Sequence, residues 1–393
     1  MNKPWPTPTD ALLPCQRALF DIPREVCFLN AASWSPLPLH SQEVGRAAVA
    51  RKGQPWKLGP EFAPAQHQRA RVAAASLISA DPEDVALISS VSYGVATAAK
   101  LLTVPAGARV LVIEDDHSSP VLEWMTRAPQ QGFAVEVVRR PPDGDWTAAV
   151  LSAIERRGAP PLALVSMSSV HWSDGGVVDF DQVAPAARTA GAALLIDATH
   201  SAGVLSLEVR ALDPDFLVFP TYKWVLGPYG RAFLYIAKRH QDGVPLEQTN
   251  YGRRAVAAEH VPYFADTAYV AGARRFDMGE RDHFISLEMA AIGMELMARW
   301  GCAAVVARLR MLTERLAAGL ADCGVTFAPP RVRAPHILSL SFPRGVPERL
   351  LERLAAENIY VASRLGRLRI SPHVYNDEVD IDRFVAAFHS VMR

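Results

Sequence analysis

Seven short apolar segments recur between residues 85 and 236, and helical patterns separate most of them. Several segments are apolar at every position, as strands are when helices cover both faces of a parallel sheet. The resulting β-α-β-α order predicts an α/β fold whose large domain contains a mostly parallel seven-stranded sheet. The predicted strands cover residues 85–89, 109–113, 134–138, 162–167, 193–197, 216–219 and 231–236.

The pattern changes after residue 241. Residues 241–283 are polar and irregular, and helical patterns then occupy residues 285–300 and 302–323. Short strand and helix patterns alternate from residue 336 to the end, which favours a smaller α+β unit. Together with a proline-rich start, this predicts three regions: an N-terminal arm (1–20), a large domain (21–255) and a small C-terminal α+β domain (256–393).

The charge balance and the cysteines exclude several classes of protein. The 41 Lys and Arg residues cancel the 41 Asp and Glu residues, so the basic excess of a non-specific nucleic-acid or anionic-membrane binder is missing. The four cysteines form no CxxC pair, which argues against a zinc ribbon and favours a reduced, cytoplasmic protein. No secretory signal is evident, and no apolar run reaches the ~18 residues of a membrane span.

Lys223 is the most informative polar residue at a strand end. In open α/β sheets, ligands bind outside the carboxyl ends of the strands, and Lys223 follows the strand at 216–219 among bulky aromatic residues. Desolvation there would lower the pKa of its amine and favour a nucleophile suited to a Schiff base. The alternative is an ordinary lysine that extends to the surface.

Three other features also have two interpretations each. Asp197 ends the strand 193–197, and its carboxylate suits either a cationic ring nitrogen or a helix cap. The turn 90–94 precedes a helix, so its hydroxyl and N–H groups suit a phosphate, or Ser90 is a simple cap. Arg369 lies on a short C-terminal strand, where it either clamps a carboxylate or remains a solvated charge.

The histidines add a different alternative. His117 and His200 each follow a predicted strand, and each suits a ring-stacking group, a metal ligand or a buried core histidine. With Asp115 and Asp197 they would supply four ligands for a divalent metal, so a metal-dependent hydrolase is a second hypothesis.

Considered together, these segments resemble the class V aminotransferase family of fold-type I enzymes that depend on pyridoxal 5'-phosphate (PLP). That family includes cysteine desulfurases, selenocysteine lyases, kynureninases and isopenicillin N epimerase. The resemblance extends from about residue 28 to residue 388 in the family's order. Its motifs are FLNAASWSPLP (28–38), ISSVSYGVATAA (88–99), DHSSPVLEW (116–124), DATHSAG (197–203), FPTYKWVLGPYG (219–230), RRFDMGERDHF (274–284) and LRISPHVYNDEVDIDRFV (368–385).

The resemblance implies PLP as cofactor and Lys223 as the residue that forms a Schiff base with it. It implies that Asp197 contacts the pyridine nitrogen and that His117 stacks on the pyridine ring. The catalytic residues that it implies are therefore Lys223, His117 and Asp197. The cofactor-binding residues that it implies are Ser92, Tyr93, His117, Asp197, His200, Tyr222 and Lys223.

The resemblance also implies a small amino-acid substrate and a homodimer. Arg369 would bind the substrate carboxylate, and Asn30 and Trp34 belong to the motif on the substrate side. The segment 274–284 resembles the one that crosses the dimer interface in the family. Here it contains Gly279-Glu280 where the family commonly has Gly-Thr, so Arg281 is an alternative phosphate contact.

The reaction type remains open at this point. Residues 362–369 occupy the position of the desulfurase loop and contain no cysteine, so a persulfide-relay desulfurase is not expected. We predict transamination or β-elimination of an L-amino acid. The alternatives are a PLP-dependent epimerase or racemase, the metal-dependent hydrolase above, and a non-catalytic PLP-binding protein.

Overall fold

The seven predicted strands form one sheet in the computed structural model, which describes residues 12–392 of the chain. In chain order, the strands of the structure are β1 Cys27–Phe28, β2 Val85–Ile88, β3 Arg109–Ile113, β4 Ala134–Val138, β5 Leu162–Ser168, β6 Ala193–Asp197, β7 Phe216–Pro220, β8 Ala232–Ile236, β9 Leu338–Ser341, β10 Ile359–Tyr360, β11 Ala362–Arg364 and β12 Arg367–Ile370. The strand order in the large sheet is β2-β8-β7-β6-β5-β3-β4. Only β8 runs antiparallel to its neighbours, so the prediction of a mostly parallel seven-stranded sheet is confirmed.

Helices cover both faces of this sheet. Alternate residues of β3 show this, because Leu111 and Ile113 join one core cluster while Val110 and Val112 join the other. The helices are α1 Leu39–Lys52, α2 Phe62–Ser76, α3 Val91–Leu101, α4 Ser119–Gln131, α5 Trp146–Ile154, α6 Phe180–Thr189, α7 Val209–Leu212, α8 Ser286–Trp300, α9 Cys302–Gly319, α10 Leu350–Ala356 and α11 Glu378–Met392.

The sequence patterns did not predict helices α1 and α2. The buried residues of α2 are mainly small, including Ala70 and the run at residues 73–75, so no stripe of large apolar side chains marks its inner face. Both helices pack against α8, which lies in the predicted small domain. The burial of these alanines therefore depends on close helix packing that only the folded chain shows.

A second, three-stranded sheet lies near the C-terminus, in the order β11-β12-β9 with both pairs antiparallel. One predicted strand near residue 360 is in fact two, because β10 pairs in parallel with β1 while β11 pairs with β12. The N-terminal segment at residues 27–28 thus lies beside C-terminal strands. The division of the chain at residue 255 stays a prediction, and residues 1–11 of the predicted arm lie outside the described residues.

Helices α8 and α9 are consecutive and both are rich in apolar residues. Between residues 12 and 392, no single helix is long and apolar enough to cross a membrane. The two helices reach that length and apolarity only as a pair, and the chain bends by 84° between them.

The parallel direction of the strands determines where the polar residues meet. Strands β2, β3, β5, β6 and β7 all end at the same edge of the large sheet. The turns that follow them therefore surround one cleft, at the place where ligands bind in open α/β sheets.

Candidate active site

Lys223 lies in a tight turn directly after β7. The N–H of Gly227 donates to the carbonyl oxygen of Thr221 at 2.8 Å, which closes the turn around the lysine. A Cβ on Gly227 would lie 2.6 Å from the Cβ of Thr221, so only glycine fits there. Leu226 has a φ of 56°, a left-handed conformation that an L-residue adopts only when its surroundings enforce it. The turn therefore fixes the backbone on both sides of Lys223.

The amine of Lys223 is deeply buried, with a residue exposure of 6%. Burial, chiefly, and then the positive charge of Arg369 lower the pKa of Lys223 to about 7, while Asp197 opposes the shift. A substantial fraction of the lysine is therefore neutral near pH 7 and has a free lone pair.

The tautomer of His200 determines whether a ring N–H faces the lone pair of the Lys223 amine. The indole Nε1–H of Trp224 donates to Nδ1 of His200 at 3.0 Å, and an indole nitrogen is a donor only. Burial and the charge of Lys223 hold the pKa of His200 well below its usual value, so the ring is neutral. Its single hydrogen is thus on Nε2, which lies 3.4 Å from the Nζ of Lys223. The histidine donates a hydrogen bond into the site.

A layer of neutral aromatic rings lies behind His200. Trp224 stacks on His373 at 5.4 Å and meets the edge of His336 at 4.4 Å. Burial lowers the pKa of His336 to about 3 and that of His373 to about 4, so both are uncharged at neutral pH. Nε2 of His336 contacts the carbonyl oxygen of His200 at 2.7 Å. This layer holds both His200 and the indole that determines its tautomer.

Asp197 ends β6 as predicted and is 1% exposed. Its Oδ1 accepts a hydrogen bond from the N–H of Thr199 at 2.9 Å, and its carbonyl oxygen accepts from the N–H of Ser169 at 3.0 Å. The carboxylate influences the pKa of both Lys223 and His117, so the three groups share one cleft.

His117 lies on the open side of the cleft, where a neighbouring acid positions its backbone. Asp116 accepts hydrogen bonds from the N–H of His117 at 2.7 Å and from the N–H of Ser168 at 2.8 Å. The ring of His117 meets the ring of Trp172 edge-on at 6.1 Å. Burial lowers the pKa of His117, although Asp197 acts in the opposite direction. A flat ring bound between His117 and Asp197 would contact both.

The predicted phosphate turn is the N-terminus of α3. The hydroxyl of Ser90 caps the helix by accepting from the N–H of Tyr93 at 3.1 Å, and the hydroxyl of Ser92 lies 3.0 Å from that of Ser119. Burial and the nearby Glu247 carboxylate raise the pKa of the Tyr93 phenol. The hydroxyls of Ser92 and Ser119 and the first N–H groups of an eleven-residue helix suit an anion.

The remaining predicted residues form the mouth of the cleft. The ring of Tyr222 lies 4.2 Å from the ring of Tyr229, which in turn lies 5.8 Å from that of Trp34. Nζ of Lys223 lies 5.4 Å above the ring of Tyr222. Trp34 is 67% exposed, whereas the amide oxygen of Asn30 is buried with no hydrogen-bond partner within the described residues.

Arg369 reaches the cleft from the small C-terminal sheet and is 1% exposed. Its Nη1 donates to the carbonyl oxygen of Trp172 at 2.6 Å and its Nη2 donates to the hydroxyl of Ser33 at 2.7 Å. Burial and the charge of Arg364 lower the pKa of Arg369 to about 9, so the guanidinium is still charged at neutral pH. Arg364 also donates to the Ser33 hydroxyl, at 3.0 Å.

The structure thus brings Lys223, Asp197, His117, His200 and Arg369 around one cleft. Several contacts were not predicted as parts of the site, namely Ser33, Asp116, Trp224, His336, Arg364 and His373. Asp116 precedes His117 in a motif and could have been found from it. Trp224 directly follows Lys223 in a motif and could also have been found from it, whereas the contact between Ser33 and Arg364 joins residues 331 positions apart.

The metal-ligand hypothesis gains no support from the geometry. Within residues 12–392, no group of three or more His, Cys, Asp or Glu side chains is arranged to hold a metal ion. Both ring nitrogens of His200 already face protein groups, Trp224 and Lys223.

The segment predicted to cross the dimer interface also makes contacts within its own chain. The N–H of Gly279 donates to the Glu247 carboxylate at 2.6 Å, and Glu280 has a φ of 53°. Arg281 pairs with Asp277 of its own chain, which is also paired with the buried Arg71 at 2.6 Å. One carboxylate is thus shared by two guanidinium groups, and the role of Arg281 as a phosphate contact stays a prediction.

Comparison with known proteins places this geometry in a family. The family model described as "Aminotransferase class-V" matches residues 57–384. The chain is 26% identical over 384 residues to an uncharacterized aminotransferase of Bacillus subtilis (strain 168), covering 93% of this chain and 94% of the relative. It is 26% identical over 379 residues to the isopenicillin N epimerase of Streptomyces clavuligerus, covering 92% and 94%.

A solved structure shares the fold at low sequence identity. It is a mutant of the protein C-DES with glycine covalently linked to its PLP cofactor. That chain is 20% identical and superposes with a TM-score of 0.82, covering 95% of this chain and 98% of the neighbour.

Proposed function

Because this chain belongs to the class V aminotransferase family and is a PLP-dependent enzyme, we propose that it converts an L-amino acid by transamination or β-elimination at Lys223. The observation that carries the proposal is the state of that lysine. Its amine is 6% exposed, and its pKa is lowered to about 7. An amine in this state can both form a Schiff base and accept a proton at neutral pH.

The described residues fit the cofactor. Asp197 offers a buried carboxylate for a ring nitrogen, and Nε2–H of His200 offers a hydrogen bond for the phenolic oxygen. The N-terminus of α3, with the Ser92 hydroxyl, suits the phosphate, and the resemblance implies that Tyr222 also reaches it. PLP, when bound, supplies an electron sink that stabilises the carbanion formed at the substrate Cα.

Three residues of this chain have different proposed roles in the reaction. Arg369 binds the α-carboxylate, because a guanidinium donates two parallel hydrogen bonds to a carboxylate. Lys223 takes the proton from Cα and can return a proton to a neighbouring carbon, since the turn that ends at Gly227 keeps its amine in reach. His117 packs against the face of the bound ring, on the open side of the cleft.

The enzyme is proposed not to be a persulfide-relay desulfurase. A relay needs an exposed cysteine thiolate, and the residues from β11 to β12 contain no cysteine. Burial raises the pKa of Cys27 to about 12 and that of Cys302 to about 11, and it also raises the pKa of Cys323. Cys15 donates its thiol hydrogen to the carbonyl oxygen of Tyr375 at 3.4 Å.

Racemisation at Cα is the second candidate, and it is supported by the similarity to isopenicillin N epimerase along nearly the whole chain. It would require a proton donor on the ring face opposite Lys223. Solvent exchange and chiral analysis of the recovered amino acid distinguish this outcome from the other two.

A homodimer in the cytoplasm is proposed as the active form. The resemblance of residues 274–284 to the segment that crosses the dimer interface in the family supports the homodimer. All four cysteines are unpaired thiols, in keeping with a reducing compartment. Light scattering on the purified protein should give twice the 42.8 kDa of the chain.

The deciding experiment is the visible absorption spectrum of the protein purified with PLP. Wild type and Lys238→Ala, which changes an exposed lysine, should show a yellow band that borohydride bleaches. Lys223→Ala should lack the borohydride-sensitive band. An unchanged spectrum in Lys223→Ala would overturn the proposal.

An amino-acid panel then separates the reactions. Ammonia and a keto acid formed without any acceptor would indicate elimination, and strict dependence on a keto-acid acceptor would indicate transamination. Inversion of the substrate without either product would indicate racemisation.

A further inference from the structure

One face of the small C-terminal sheet carries three arginines. Strand β12 pairs with β11 and β9 so that Arg367 lies opposite Arg364, and Arg369 lies opposite Ser339. Residues that lie opposite each other, or two apart on one strand, share a face of a sheet. Arg364, Arg367 and Arg369 therefore form one surface, which we name the arginine face. The other face of the sheet is apolar and carries the buried residues Leu338, Leu340, Leu368 and Ile370.

The arginine face is turned toward the cleft. The hydroxyl of Ser339, on this face, donates to the carbonyl oxygen of Ser173 in the loop after β5 at 2.8 Å. Arg369 donates to the carbonyl oxygen of Trp172 in the same loop. The positive charges of both Arg369 and Arg364 lower the pKa of Lys223, with Arg369 having the larger effect. Arg369 is thus the inner cation of the cleft, and Arg364 is the outer one.

Two of these cations meet at one oxygen atom. Nη2 of Arg369 and Nη2 of Arg364 lie 2.7 Å and 3.0 Å from the hydroxyl oxygen of Ser33. Nη1 of Arg364 donates to the carbonyl oxygen of Ser363 at 2.7 Å. Both guanidinium groups therefore donate to neutral oxygens only, while like charges are held side by side.

No acidic side chain offsets this charge. Among residues 12–392, no Asp or Glu oxygen lies within 4 Å of a guanidinium nitrogen of the arginine face, whereas the buried Arg71 and Arg109 pair with carboxylates at 2.6 Å and 2.9 Å. Nε of Arg369 is also buried with no hydrogen-bond partner in that range of residues. Desolvated like charges repel, and an anion bound between them would offset that repulsion.

One carboxylate does not account for both cations. Arg369 is almost completely buried and has the larger effect on Lys223 of the two arginines, so an α-carboxylate belongs there. Arg364 is half-buried at the tip of the hairpin formed by β11 and β12, farther toward solvent. We propose that the substrate is a dicarboxylic amino acid, with its α-carboxylate on Arg369 and its side-chain carboxylate on Arg364. This inference rests on the proposed function and adds the class of substrate to it.

The test compares acids with their amides, which have nearly the same shape but no side-chain charge. The PLP-loaded protein is titrated with aspartate against asparagine and with glutamate against glutamine, and the dissociation constant is taken from the change in visible absorption. Leaving one member of a buried charge pair unpaired typically weakens binding at least about 30-fold. Wild type should bind one of the two acids at least about 30-fold more tightly than its amide.

Substitution of Arg364 should remove this preference selectively. Arg364→Gln should weaken binding of the acid by about 30-fold and change binding of the amide by less than about threefold. Arg364→Lys keeps the charge but not the planar fork, so it should give an intermediate preference. The matched control is Arg349→Gln, because Arg349 is 73% exposed and pairs only with the nearby Glu352. It should leave all four dissociation constants unchanged.

Each other outcome overturns part of the argument. Equal binding of acids and amides by wild type would overturn the substrate class. An acid preference that survives in Arg364→Gln would place the second carboxylate elsewhere, and equal weakening of acid and amide would mean that Arg364 shares the α-carboxylate. A wild-type protein without the borohydride-sensitive band would overturn the proposed function itself, and this inference with it.

Discussion

The floor of the cleft and the arginine face bind charged groups by opposite physical means. The floor comprises Asp197, His200 and Lys223 at the strand ends of the large sheet, and burial keeps His200 neutral and leaves about half of Lys223 neutral near pH 7. The arginine face carries charges that remain at neutral pH even where burial is nearly complete. The floor therefore changes its charge near pH 7 and is suited to proton transfer, whereas the arginine face keeps its charge near pH 7 and is suited to binding.

Replacing Lys223 should have the largest effect of the changes that test the contrast between the floor and the arginine face. The effect is measured as the free energy of unfolding of the cofactor-free protein. The lysine has a pKa of about 7 in the folded chain against 10.5 as its ordinary value, so the unfolded chain binds more protons between those pH values. Stability should rise as pH rises through this window. Lys223→Met removes the cost of desolvating the amine, and should raise the free energy of unfolding by roughly 3–4 kcal/mol at pH 7.

Denaturant unfolding at pH 7 and pH 10 measures this effect. The gain should shrink toward pH 10, and Lys238→Met, at an exposed site, should show none. Equal stability of wild type and Lys223→Met at pH 7 would mean that the lysine is not desolvated. Arg369, whose pKa is about 9, contributes its own pH dependence only near and above that pH, and this contribution is common to wild type and Lys223→Met.

Asp197→Asn should have the next largest effect, and it should act on the chemical step. The amide cannot hold a proton on a ring nitrogen, so kcat should fall by roughly 10²–10³-fold, while KM changes little. Steady-state kinetics with saturating PLP measures both constants. The exposed Asp322→Asn is the control. A rise in KM with an unchanged kcat would assign Asp197 to binding and remove the contrast between the two regions.

Arg369→Gln should produce the opposite pattern. Its guanidinium is proposed to bind the α-carboxylate before and during the reaction, so KM should rise roughly 10²-fold while kcat stays within about tenfold. Arg315→Gln, at an exposed ion pair with Asp382, should leave both constants unchanged. A loss confined to kcat would contradict the binding role of the arginine face.

The two regions also differ in how far the sequence predicts them. Lys223 and Asp197 lie at the ends of continuous apolar strands, so the strand pattern alone places them at the cleft. The arginine face was predicted only in part. The alternation in RLRI at residues 367–370 indicates a two-sided strand, but the pairing that brings Arg364 into register with Arg367 depends on a turn at Leu365 and Gly366, both with positive φ. The contact of both arginines with Ser33 depends on tertiary packing.

The fold shows the same difference between features that strand patterns predict and features that depend on tertiary packing. The seven strands of the large sheet were predicted to within one residue because continuous apolar runs have few alternatives in a chain of this length. Helices α1 and α2 were not predicted, since α2 packs through alanines that carry little periodic signal. Sequence patterns thus report large buried side chains well, and they report contacts between distant segments poorly.

Trp224→Phe should have the smallest effect, and it tests how the floor is tuned. The indole N–H holds the hydrogen of His200 on Nε2, and that hydrogen faces the lone pair of Lys223 at 3.4 Å. Phenylalanine keeps a ring beside His373 but leaves Nδ1 of His200 without its donor. The neutral lysine then loses a hydrogen bond worth about 1 kcal/mol, so its pKa should rise by about one unit.

The pH profile of kcat distinguishes this role from simple packing. If the neutral amine is the base, the acid limb of the profile should move up by about one pH unit, and kcat at pH 7 should fall by up to about tenfold. The exposed Trp56→Phe should leave the profile in place. A lower melting temperature with an unmoved acid limb would mean that Trp224 only packs, and the tautomer assigned to His200 would be wrong. Arg369→Gln should also move the acid limb upward, because the charge of Arg369 lowers the pKa of Lys223, but it should raise KM as well, whereas Trp224→Phe should leave KM unchanged.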